Sequence, residues 1–259
     1  MRWLRVVGSC ACLLALAPPA RGEEKVDVAF PLGLRARHVE SSAASSFELG
    51  VAATVTGAGN GYSGVVDCIA SIGSDGSRLT GTFAYTLTYG VLLGEDSQGL
   101  ALRFGADILV DSLGSLRASH LSLPLVQTGY AYSDSTFLID VGIQSAPILA
   151  GRMRQDDAAR YMGLGAKAGP YLAVMLPNIG LSARFTGDHL VASTSEGGAS
   201  DWARGLVCVS FGWVDACADG LVSRFAPTDD AKAITMGYAG GTVGVDFTRI
   251  AGAFGYQPR

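Results

Sequence analysis

The feature that most constrains this chain is a period of two, sustained over runs longer than most soluble strands. From Leu79 to Leu93, one face carries Leu79, Phe83, Tyr85, Leu87, Tyr89, Val91 and Leu93. The other carries Thr80, Thr82, Ala84, Thr86, Thr88 and Gly90. Successive side chains of a strand point to opposite faces, so this strand has an apolar side and a side of small polar residues. The pattern returns with Leu100, Leu102, Phe104, Ala106, Ile108 and Val110 against Ala101, Arg103, Gly105, Asp107 and Asp111. It returns again in Phe137–Gln144, Ile179–Asp188 and Gly205–Trp213, and more weakly in 26–35, 47–56, 62–72, 162–176 and 234–247.

Turn signals separate the runs at Gly73–Gly76, Gly94–Ser97, Ser133–Ser135 and Pro177–Asn178. Longer polar connections are expected at Arg152–Asp157, Ser195–Asp201 and Pro227–Lys232, and the last strand near Val243–Tyr256. A three-to-four spacing of apolar residues is not sustained anywhere; Asp156–Met162 has room for one helical turn. The expected fold is all-β, an antiparallel meander closed into a barrel, with an even number of strands between about 8 and 12.

Two architectures share this alternation. A soluble barrel or sandwich turns its apolar face inward, whereas a membrane barrel turns it to lipid and lines its interior with polar residues. The runs reach or exceed the roughly 9–11 residues a tilted strand needs to cross a bilayer. The polar face is rich in Gly, Thr and Ala with isolated charges of both signs, namely Arg103, Asp107, Asp140, Lys167 and Arg184. A water-facing surface would be crowded with Lys and Glu, but charged residues make up only 16% of the chain. Tyr85, Tyr89, Tyr130, Tyr132 and Tyr161 are placed for interfacial girdles. Against the membrane version stand a modest aromatic content of 8% and a last strand that does not finish on an aromatic residue.

The first residues set the compartment. Arg2 and Arg5 precede an apolar run, Val6–Ala17, which Pro18 and Pro19 end, and Ala20–Gly22 then supplies small residues for cleavage before Glu23. Residues 1–22 read as a signal peptide and 23–259 as one barrel domain, with 23–46 a partly ordered first strand and linker. The export route implies the outer membrane, with a periplasmic or secreted location as the alternative. Outer-membrane lipid is the expected partner. A net charge of −4 offers nucleic acid no basic surface. Three cysteines follow the signal region, Cys68, Cys208 and Cys217; the shortest loop joins Cys208 to Cys217, and an odd count leaves at least one unpaired or paired with another molecule.

Ser119–Leu149, with Leu121, Leu123, Pro124 and Leu125 before a turn and Phe137, Ile139, Gly142 and Gln144 after it, resembles the core hairpin of porin-like outer-membrane β-barrel families. The resemblance implies a barrel fold and says almost nothing of activity. Proline interrupts a hydrogen-bond ladder, so Pro124 implies a bulge or a local gap.

Chemistry is sparse. Gly59–Gly64 matches G-x-G-x-x-G, but a strand follows instead of a helix, so a glycine-rich turn is expected. No cofactor or metal motif is present, and adjacent Asp156 and Asp157 between arginines read as a solvated loop. His120 and Ser122 share one strand face, a spacing at which a histidine can activate a hydroxyl. Three functions follow, in descending order. The first is a non-enzymatic outer-membrane barrel, a small passive pore or envelope-structure component, with Arg103, Asp107, Asp140 and Arg184 facing the lumen. The second is a soluble barrel or sandwich binding an apolar ligand. The third is a lipid-modifying hydrolase built on His120 and Ser122.

Overall fold

The computed structural model describes residues 27–29, 31–41, 45–59, 62–76, 79–95, 97–113, 116–155, 158–192, 198–227 and 233–253. The signal region 1–22, Asp156 and Asp157, and Gln257–Arg259 lie outside them. Thirteen strands follow in chain order: β1 Asp27–Ala29, β2 Pro31–Ser41, β3 Ser45–Gly59, β4 Tyr62–Ser74, β5 Leu79–Glu95, β6 Gln98–Leu113 and β7 Leu116–Ser133. Then come β8 Leu138–Gln155, β9 Ala158–Leu176, β10 Leu181–Ala192, β11 Gly198–Phe211, β12 Val214–Pro227 and β13 Ile234–Asp246.

From β2 to β13 each strand pairs antiparallel with the next, and β13 pairs back with β2, so twelve strands close without an edge. β1 continues β2 in the same register on β3, with Asp27 opposite Ala58 and Leu32 opposite Ala53. An even strand count brings the start of β2 and the end of β13 to one end of the barrel, here called proximal, where Pro31 faces Asp246. The opposite end is distal. At the proximal end the turns before β10 and after β11 bend through Gly180 and Gly212, both at φ 63°, a conformation glycine adopts without a Cβ penalty.

Alternation sets which side chains go in. Leu34 on β2 is 77% exposed, whereas Arg37 on the same strand is 1% exposed and Glu48 on β3 is fully buried. Outside are Phe47, Leu49, Ile72, Phe104, Ile143, Phe185, Val222 and Val243; inside are Ser46, Ser71, Thr80, Thr82, Asp111, Gln144, Lys167 and Asp219. The soluble alternative required the reverse, with the apolar face turned in. Near the proximal end the aromatic residues Tyr130, Phe211, Trp213 and Phe247 are exposed, with Tyr89 and Phe104 exposed further along β5 and β6.

Four expectations need correction. The strands extend further than the turn signals suggest, since β8 runs through Arg152–Gln155 and β11 already begins at Gly198. Ala158–Met162 belongs to β9, not to a helical turn. The final strand is Ile234–Asp246, and a short helix, α1 (Phe247–Ala253), follows it. Asp246 stops the strand: its Oδ1 accepts from the backbone N–H of Thr248 at 2.9 Å and from the Thr248 hydroxyl at 2.6 Å, as a helix N-cap does. At Pro124 the register of β7 on β8 shifts between Ser122 and Val126, the gap in the ladder that proline demands.

Candidate functional site: a charge-paired lumen

Because inward positions recur every second residue, charges far apart in the chain meet across the lumen. In the distal half Arg37 is the centre. Its Nε donates to Glu48 Oε2 at 2.7 Å, and Ser71 donates to the same oxygen at 2.6 Å. Its Nη2 meets Thr82 Oγ1 and lies 3.4 Å from Asp111 Oδ1, while Thr82 donates to that aspartate at 2.7 Å. The Tyr238 ring lies 4.7 Å from the guanidinium. Beyond this network Phe225, Ile234 and Met236 pack together as an apolar cap at the distal end.

Beside it Arg35 donates a two-pronged fork to Asp219, both bonds 2.6 Å. On the other wall Lys167 donates to Asp107 Oδ2 at 2.6 Å and lies 3.7 Å from Asp188. Asp188 also accepts from the Gln144 amide at 2.9 Å and the Trp202 indole at 2.7 Å. Arg103 pairs with Asp140 at 2.5 Å, and the Tyr171 hydroxyl donates to the same carboxylate at 3.0 Å. The matching is incomplete: Arg35 Nε, Arg37 Nη1 and Glu48 Oε1 are buried without a hydrogen-bond partner among the described residues, a cost that the ion pairs around them offset.

Proximal to these pairs the lumen opens into a cavity of about 290 Å3 whose lining includes Arg35, Arg184, Arg204 and Arg249 with Asp67, Asp215, Asp219 and Asp246. Arg184 donates to Asp67 at 3.0 Å, and Thr54 occupies the other oxygen of that carboxylate at 2.7 Å. Cys208 and Cys217, directly opposite each other on β11 and β12 with Cα atoms 4.0 Å apart, form a disulfide in this wall.

The four charges singled out in the sequence therefore take different places. Arg103 and Asp140 are partners in one buried pair, Asp107 is shared by Lys167, His120 and Thr86, and Arg184 lies at the vestibule. Arg35, Arg37, Glu48, Arg204 and Asp219 were missed, although each stands between apolar or small neighbours of the opposite face: Leu34–Arg35–Ala36–Arg37, Phe47–Glu48–Leu49 and Ala203–Arg204–Gly205.

His120 and Ser122 do not form a catalytic pair in this geometry. The imidazole Nε2 is 2.9 Å from Asp107, and the ring packs against Trp202 with centroids 4.3 Å apart. The Ser122 hydroxyl is buried with no hydrogen-bond partner. Among the described residues no group of three or more His, Cys, Asp or Glu side chains converges to hold a metal.

A closed barrel with leucines, valines and phenylalanines outside and ion pairs inside is built for lipid on its outer face. Closure removes every unpaired edge, the condition for crossing a bilayer with strands. The chain is a transmembrane β-barrel of the outer-membrane kind.

No protein-family model matches the chain, and no curated protein matches it in sequence. Among solved structures it is similar to the NanC porin, with 9% identity and a TM-score of 0.45 over 81% of this chain and 98% of the porin. It is similar to the Pseudomonas putida toluene transporter TodX, with 9% identity and a TM-score of 0.36 over 90% and 91% of the two chains. It is also similar to the outer membrane protease OmpT from Escherichia coli, with 9% identity and a TM-score of 0.33 over 90% and 99%. Pores and a protease stand side by side at this distance, so the likeness is between barrels and does not extend to activity.

Proposed function

We propose that the protein is a non-enzymatic, small passive pore of the outer membrane. The observation that carries this is the vestibule, a cavity in the proximal half of the lumen whose largely apolar wall also carries charges of both signs, beside a section of paired charges. Twelve strands stand between small barrels whose interiors side chains fill and porins of 16–18 strands with an open channel. Arg103, Asp107 and Asp140, each neutralised by a partner, act in this reading mainly by narrowing the path. Arg184, whose side chain is 30% exposed, faces passing solutes and biases selectivity.

The test is conductance in a planar bilayer with KCl on both sides, using protein whose unheated band runs faster than the boiled band in SDS gels. Small discrete steps are expected. Folded, inserted barrels that give no current above background would overturn the pore and leave an envelope-structure role.

A further inference from the structure

The carboxylates of the vestibule are already engaged. Asp67 has one oxygen on Thr54 and the other on Arg184, and both oxygens of Asp219 hold the Arg35 fork. Asp215 accepts from Ser210 at 2.5 Å, and Asp246 holds the start of α1. Arg204 is different. It lies midway along β11, opposite Thr186 of β10 and Leu221 of β12, and lines the cavity. Among the described residues its guanidinium makes no hydrogen bond or ion pair. Tyr238 acts on its charge first, then Asp67, Asp219 and Asp107, and each of these three carboxylates is bonded to another group.

A guanidinium presents five N–H donors in a planar fork that matches a carboxylate. Arg204 is half-buried and lines the cavity, so these donors are available to an acceptor-rich solute that enters it. Ile69, Leu138, Val174 and Leu206 supply apolar wall to the same cavity. Among the described residues four arginines and four aspartates line it, so their formal charges balance and a multiply charged anion gains no net attraction from them. The volume, about 290 Å3, lies at the small end for ligand pockets.

We propose that the vestibule binds a small organic monocarboxylate with a compact apolar body, its carboxylate held by Arg204 and its body against the aliphatic wall. This rests on the reading of the lumen as a passage and adds the class of solute that enters it.

The test is calorimetric titration of benzoate into the folded barrel in detergent, with benzamide as the neutral isostere and KCl conductance measured on the same preparation. Benzoate is expected to bind saturably, and benzamide and the Arg204→Gln variant to show affinity at least about tenfold weaker, the loss of one charge-assisted contact. Arg204→Lys should fall between, and Arg224→Gln, an exposed arginine away from the vestibule, should bind as the parent does. Equal affinity for benzoate and benzamide in the unmodified protein overturns the site, whether or not the variants fold. So does unchanged affinity in folded Arg204→Gln, or no saturable binding at all. Conductance without benzoate binding removes the site and leaves the pore; benzoate binding without conductance does the opposite.

Discussion

The two halves of the lumen share the same wall and solve opposite problems. In the distal half Arg37, Glu48, Thr82, Asp111 and Ser71 fill the space and bond to one another, leaving Arg37 Nη1 and Glu48 Oε1 unmatched, with Phe225, Ile234 and Met236 beyond them. In the proximal half the same alternation leaves a cavity, and one of its cations has no partner among the described residues. Both halves carry inward charges, so charge alone does not make a passage. What separates them is whether each inward charge meets its complement across the barrel.

The sharpest break of that contrast is a mismatch made in each half. Glu48→Gln leaves the buried Arg37 with only the more distant Asp111 as an anion. Removing one partner from a buried pair costs about 3–5 kcal/mol. Asp67→Asn does the same to Arg184 at the vestibule, where both side chains are partly exposed, and should cost at most about 1 kcal/mol. Urea unfolding in detergent measures both. Equal losses would show that the two halves are equally dry and would remove the distinction between plug and vestibule.

Next in size is a steric probe of the plug. Gly240 on β13 faces Arg37 across the pairing, and a Cβ there would come within 2.7 Å of the Arg37 Cβ and 3.2 Å of Arg35 Nη2. Gly240→Ala should therefore cost about 1–3 kcal/mol, the usual penalty for forcing extra volume into a filled space. Gly205 on β11 has open space where its Cβ would go, and Gly205→Ala should shift stability by no more than about 0.5 kcal/mol. If the two variants unfold at the same urea concentration, the distal half is looser than its bonds imply.

Alternation was enough to read the barrel and its polarity because a strand's faces are determined locally, residue by residue. Thr80–Gly90 shows it best, since every polar position there is a lumen position. Which charges meet was not readable. Arg37 and Glu48 are eleven residues apart, but Arg35 and Asp219 are 184 apart and meet because closure places β2 beside β13 and β12 next to that. Arg35 ended the weak run 26–35 and Arg37 lay beyond it, in a stretch, 23–46, that read as a partly ordered first strand and linker, and Glu48 was hidden between two apolar neighbours. The helix after β13 was missed because its cap is a single aspartate, Asp246, in a run otherwise suited to a strand.

The smallest effect lies in an exposed turn at the proximal rim. In the turn between β7 and β8, Asp134 Oδ1 accepts from the backbone N–H groups of Thr136 at 2.7 Å and Phe137 at 2.8 Å, and from the Thr136 hydroxyl at 2.8 Å. The backbone N–H of Thr136 and the bonds beside it hold the carboxyl down at about 2. A carboxylate depressed in the folded state stabilises fully above its unfolded value, near 3.9, and loses that contribution as pH falls through its folded value. The difference in urea midpoint between the parent and Asp134→Ala should accordingly be constant from pH 7 to 5 and shrink between about pH 4 and pH 2. Changes common to every other carboxylate cancel in that difference. A gap that stays constant to pH 2 would show that the turn is held by its backbone alone. The rim would then contribute nothing that distinguishes the cavity end of the barrel from the filled one.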